Sequence, residues 1–211
     1  MSESRSSVEE YSRKGPARPL SISACKRAFA VSSATVRSGG SSPSTAPRIA
    51  LQALPGLTWR DLADVAVSAE LSPSVRQKAE ALLLEGLNAM RLGDLITLAR
   101  LGPRRVGSRL LLHADPRVRA SCLNNARLRD ADLCAVLETH DAPRDIASEI
   151  LSVHRWAASY QVRRAIVRSP RTPHPVSLPL IVTLNPGDLK DLSQSDDVPP
   201  LISAVARRIL G

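Results

Sequence analysis

Ser72-Pro73-Ser74-Val75-Arg76 returns as Asp115-Pro116-Arg117-Val118-Arg119 after 43 residues, and as Ser159-Tyr160-Gln161-Val162-Arg163 after 44 more. Each copy sets a capping side chain three residues ahead of a Val-Arg pair. The oxygen of such a side chain accepts from the first free N–H groups of a helix. Proline follows the cap in two copies, at the first helical position, where its missing N–H costs nothing. The three stretches therefore predict three helix starts at an even pitch.

A second helix is expected after each start: from Gly93-Asp94-Leu95, from Asp130-Ala131-Asp132-Leu133 and from Pro175-Val176-Ser177-Leu178. Third helices follow over Val106 to Leu112 and Ile146 to Val153, with a divided stretch through Leu189 and Leu192 in the last copy. Upstream, Thr58-Trp59-Arg60-Asp61 resembles a capping box, with Leu62, Val65, Ala66 and Ala69 at helical spacing behind it. Downstream, Leu201 to Leu210 reads as a closing amphipathic helix. The composition suits helices: 43% of residues are hydrophobic but only 2% aromatic, so Leu, Ala, Val and Ile must fill the core.

A period in the low forties with two or three short helices is similar to HEAT and armadillo repeats. Units of this kind cannot bury their apolar stripes alone; stacked neighbours share them. The expected fold is an all-α, α-α superhelix, a HEAT/ARM-like solenoid with a disordered N-terminal tail. Residues 1–50 form the tail and 51–211 the helical domain. Its repeats run at about 75–117, 118–161 and 162–211, after an opening helix at 58–70. Within 162–181, Val162, Arg163, Ala165, Pro170, Pro173 and Leu178 fit the pattern of a leucine-rich-repeat-variant unit, and Ser169 stands where that family carries Asn. Val118-Arg119 with Leu123-Asn124-Asn125-Ala126 is a looser copy, Ala126 taking the proline position. The resemblance implies an α-solenoid and no particular reaction. The iron–sulphur module attached to some members needs a cysteine cluster, which this sequence lacks. The HEAT-like glycosylases for alkylated bases need a catalytic Asp among aromatics around a flipped base, and no such constellation is legible here.

The net charge of +9 is concentrated in front: residues 1–50 hold eight Lys/Arg and three acids, together with 13 serines. Such a segment buries too little apolar surface to offset its backbone entropy. It reads as a basic tail, with an organellar targeting peptide as the alternative. Cys25, Cys122 and Cys134 form no CxxC pair; the last two lie among apolar neighbours and read as small core residues. No apolar run approaches the length of a membrane span. The expectation is a soluble cytoplasmic protein with no metal, no cofactor and no membrane association, its oligomeric state open.

Between Glu149 and Asp188 there is no acidic residue, while Arg155, Arg163, Arg164, Arg168 and Arg171 fall there beside Trp156 and Tyr160. These seven residues are the candidate partner-binding set. Two readings stand side by side. Cations with interleaved aromatics can grip phosphates and stack bases. Equally, Trp156 can plug a seam between repeats while the arginines lie in water or pair with acids. Arg76, Arg119 and Arg163, at equivalent positions, likewise form either a ladder for an acidic ligand or structural ties to acids such as Asp94 and Asp132. With no nucleophile–base pair, phosphate loop or ligand-spaced histidines, the sequence points to a non-catalytic interaction scaffold for a protein or peptide. A nucleic-acid-binding repeat protein using residues 155–171 is the alternative.

Overall fold

A computed structural model of the protein describes residues 51–195 and 197–211. The expected tail disorder, its targeting alternative and Cys25 lie outside the described residues. Among the described residues every regular element is helical and no strand occurs, as an all-α class requires.

Among the described residues from Trp59 onward, the α-helices run in order: α1 Trp59–Val67, α2 Pro73–Gly86, α3 Leu92–Leu101, α4 Arg104–Leu110, α5 Pro116–Leu123, α6 Asp130–Glu138, α7 Ile146–Ser152, α8 His154–Ala157, α9 Tyr160–Arg168, α10 His174–Ile181, α11 Pro186–Gln194 and α12 Pro200–Leu210. The described residues divide into two compact units, one ending at Leu82 and the other Leu83–Gly211, with the boundary inside α2. The sequence had suggested one domain from residue 51 onward. In the first unit, Thr58 caps α1: its hydroxyl accepts from Asp61 N at 3.3 Å and donates to Asp61 Oδ2 at 2.7 Å. Leu62, Val65 and Ala66 make the buried stripe of α1.

Helix starts fall where the repeated pentapeptides place them. Asp115 Oδ1 accepts from Arg117 N at 2.8 Å, and Ser159 Oγ accepts from Val162 N at 3.5 Å. The Ser72 hydroxyl meets that of Ser74 at 3.1 Å. The third and seventh residues of α2, α5 and α9 are Val75 and Ala79, Val118 and Cys122, Val162 and Ile166. Helix α12 repeats the pattern with Ile202 and Ala206, and all eight side chains are no more than 1% exposed. Positions four apart lie on one face, so each helix turns the same narrow stripe inward.

Packing within the second unit follows the same rule. Helix α5 packs on α3 and α9 on α6, each a first helix against the second helix of the preceding copy, whereas α12 packs chiefly on α11 and only touches α10. Helix α12 shares the buried stripe of the first helices while lying against α11 of the third copy. The third helix of that copy, α11, is one continuous helix rather than a divided stretch. Val167, Ile181, Leu189, Leu192, Ile202 and Ala206 join α9 to α12 in one buried cluster.

Candidate interaction surface

Polar side chains near the joints between copies are largely occupied. Buried Asn125, seven residues after Val118, donates from Nδ2 to Ala99 O at 2.8 Å and to Gly102 O at 3.2 Å, while its Oδ1 accepts from Arg127 N at 2.9 Å. Ser169, seven residues after Val162, donates from Oγ to Leu137 O at 2.7 Å. Ala99 and Leu137 hold the same place near the ends of α3 and α6, five residues after Asp94 and Asp132. One joint is thus made twice, by an amide and by a hydroxyl, each satisfying a carbonyl left over at a helix end. A Cβ on Gly102 would approach Leu98 O to 2.4 Å, so glycine is needed beside the Asn125 joint.

The arginines of the Val-Arg pairs work in the same local way. Arg119 Nη1 donates to His113 O and Ala114 O, both at 2.8 Å; Arg163 Nη1 donates to Ala157 O and Ala158 O, both at 3.0 Å. The acceptors lie six and five residues upstream in each case. Arg119 also pairs with Glu149 of α7, its Nε 2.8 Å from Oε2. Asp132 accepts instead from Arg104 Nε, at 2.9 and 2.7 Å. Burial pushes the Asp132 carboxyl up, but the bonds from Arg104, Arg129 N and Ser108 together bring it below its usual value. The suggested tie from the repeated arginines to Asp132 is therefore not made. An exposed arginine ladder is not built either, since the Arg119 side chain is buried.

Of the seven candidates, Trp156 is withdrawn from the surface. It is fully buried and donates from Nε1 to Leu123 O at 2.8 Å, the seam-plugging role. A buried indole needs such a partner. Arg155 lies 4.0 Å from the Trp156 ring centroid and donates to Leu128 O at 2.8 Å. Half-buried Tyr160 donates to Asp188 Oδ2 and accepts from Asn185 N at 3.1 Å. Arg164 Nε lies 2.8 Å from Asp188 Oδ1, so α9 is fastened to α11 as α5 is to α7. Arg168 lines a cleft of about 350 Å³ in which Glu138 and Asp197 supply opposing charge. Exposed Arg171 and half-buried Arg168 are what remains of the basic set.

Large apolar side chains are exposed elsewhere, a feature the sequence reading missed: Leu101 ends α3 at 61% exposure. Val182 follows α10 at 71% exposure; on α12, Leu201, Ile209 and Leu210 are 43%, 43% and 45% exposed. Arg207 and Arg208 stand beside them, and Arg207 Nε donates to Ser193 O at 3.1 Å. The signal for α12 was present in the sequence. Leu201 occupies the second helical position, where the other first helices carry Ser74, Arg117 and Gln161, all exposed. Among the described residues no group of His, Cys, Asp and Glu gathers as metal ligands would, and no helix is long and apolar enough to cross a membrane.

No family model, curated protein or solved structure matches the chain.

Proposed function

We propose that the protein is a non-catalytic interaction scaffold, a short HEAT/armadillo-like helical solenoid that presents its outer surface to a protein or peptide partner in the cytoplasm. One observation carries the reading: the joint between copies recurs residue for residue. Val118 and Val162 are equally buried, and Asn125 and Ser169 donate to equivalent carbonyls. Repetition of that kind extends a surface instead of enclosing a pocket, and extended surfaces suit helical or elongated partners. The likeness of 162–181 to a leucine-rich-repeat-variant unit agrees with it, because the family's Asn position falls on Asn125 and Ser169.

The nucleic-acid alternative has lost much of its support. Arg155 and Arg163 are bound to backbone carbonyls, Arg164 is paired with Asp188, and Trp156 offers no face for stacking. Affinity capture with the full chain, with and without nuclease, tests the choice. Protein partners retained after nuclease treatment are expected, with affinity that changes modestly with salt. Loss of every partner on nuclease treatment, or a steep log–log fall with salt, would point to phosphate contacts and overturn the reading.

A further inference from the structure

We infer that the outward face of α12 is a docking site for an acidic amphipathic helix supplied by a partner protein. The inference rests on the scaffold reading and names the chemistry of its partner.

Helix α12 has the buried stripe of a first helix, but it packs chiefly on α11 and its other positions depart from the pattern. Its second residue is Leu201 where the others are polar. Its eighth is exposed Arg207 where α5 and α9 have buried Leu123 and Val167. Its tenth is Ile209 where Asn125 and Ser169 make the joint. Without that polar residue the helix continues for 11 residues, against eight and nine in α5 and α9. Leu201, Val205 and Ile209, spaced by four, form a second apolar stripe beside the buried one. Val205 is half-buried; the other two are exposed. Arg208 borders this stripe, and no acid lies between Pro200 and Gly211.

The occupant follows from how the other first helices are covered. Arg119 of α5 is met by Glu149 of α7, and Arg164 of α9 by Asp188 of α11. In both, a carboxylate on the covering helix answers a cation on the first helix. Helix α12 carries the cation and the apolar stripe but meets no such carboxylate among the described residues. A second copy of α12 would bring further arginines and no acid to this stripe, leaving its cations unanswered. A helix with a Leu stripe edged by Glu or Asp satisfies both features.

The test uses the full-length chain and two synthetic helical peptides of about 20 residues, long enough to hold a helix in isolation. They share one Leu stripe, edged by Glu in the first and Lys in the second. In fluorescence anisotropy at low salt, the Glu peptide should bind and the Lys peptide should not. Leu201→Asp should abolish binding, and Arg208→Glu should weaken the Glu peptide about tenfold or more while admitting the Lys peptide. Both residues are exposed, so thermal unfolding of the variants should match the parent. Failure of the Glu peptide to bind, equal binding of both peptides, or unchanged affinity in the variants would overturn the proposal. So would a dimer in sedimentation that Leu201→Asp converts to monomer, which would make the occupant a second copy. Should these variants bind like the parent while nuclease-resistant capture persists, only the α12 site falls; peptide binding without such capture would fell the scaffold reading instead.

Discussion

The joint of α5 on α3 and the joint of α9 on α6 share a geometry but not a donor. Asn125 uses both amide hydrogens and its carbonyl oxygen, one of its acceptors being the carbonyl of Gly102, where a Cβ would collide with Leu98. Ser169 uses one hydroxyl on one carbonyl. The position requires a short buried donor aimed at a helix-end carbonyl, and chemistry beyond that is free to vary. Replacing Asn by Ser therefore keeps the joint while reducing the number of bonds it holds.

The severest way to break either joint is to charge its apolar stripe. Val118→Asp and Val162→Asp should each cost several kcal/mol and abolish cooperative unfolding by circular dichroism, because a lone buried carboxylate has no partner there. Retained cooperativity in either would show that the two stripes are not the shared core. Trp156→Ala should follow at roughly 3–5 kcal/mol in urea unfolding, from the cavity and the orphaned Leu123 carbonyl. The comparison is sharpest with Asn125→Ala and Ser169→Ala. The first should destabilise by about 2–3 kcal/mol and the second by about 1–2, since one strands more buried groups than the other. Equal losses would mean that the extra bonds of Asn125 carry no weight.

Cys122 reports on the Asn125 joint from inside. Burial pushes its thiol from 9.0 up to about 12, so the native chain should resist alkylation and react through opening of α5. In a Cys25→Ser, Cys134→Ser background, Asn125→Ala should speed labelling of Cys122 by about tenfold per 1.4 kcal/mol lost, and Ser169→Ala should speed it less. The raised thiol also sets the sign at high pH. Above 9.0 the unfolded chain releases this proton while the native one keeps it, so stability contributed by the neutral thiol is lost as pH climbs from 9.0 toward about 12. Smallest of all should be Arg171→Ala, exposed and taking no part in either joint, with a change within about 0.5 kcal/mol.

Much of this architecture was legible from short-range chemistry. Capping residues, N1 prolines and Val-Arg pairs mark where α2, α5 and α9 begin, because a helix end must satisfy its free N–H groups with whatever lies within three residues. The closing helix was legible as a helix but not as one that carries the first-helix stripe. Its cap is Pro199, which has no side-chain oxygen, and Ser203 replaces the arginine that marks the other copies. The candidate surface was read less well. A run of arginines without acids suggested a free basic patch, but Asp188 reaches back to Tyr160 and Arg164 from a later helix, and upstream carbonyls take up Arg163.

The order of helices, their starting points and the equal spacing of their buried valines follow from residues close in sequence, since local hydrogen bonding and side-chain periodicity are short-range effects. Which polar groups remain available to a partner was decided by tertiary structure alone. The carbonyls that occupy Asn125 and Ser169, and the carboxylates that meet Arg119 and Arg164, lie 23–32 residues away. Burial and pairing depend on what folding brings alongside, and neighbours in the chain do not reveal it.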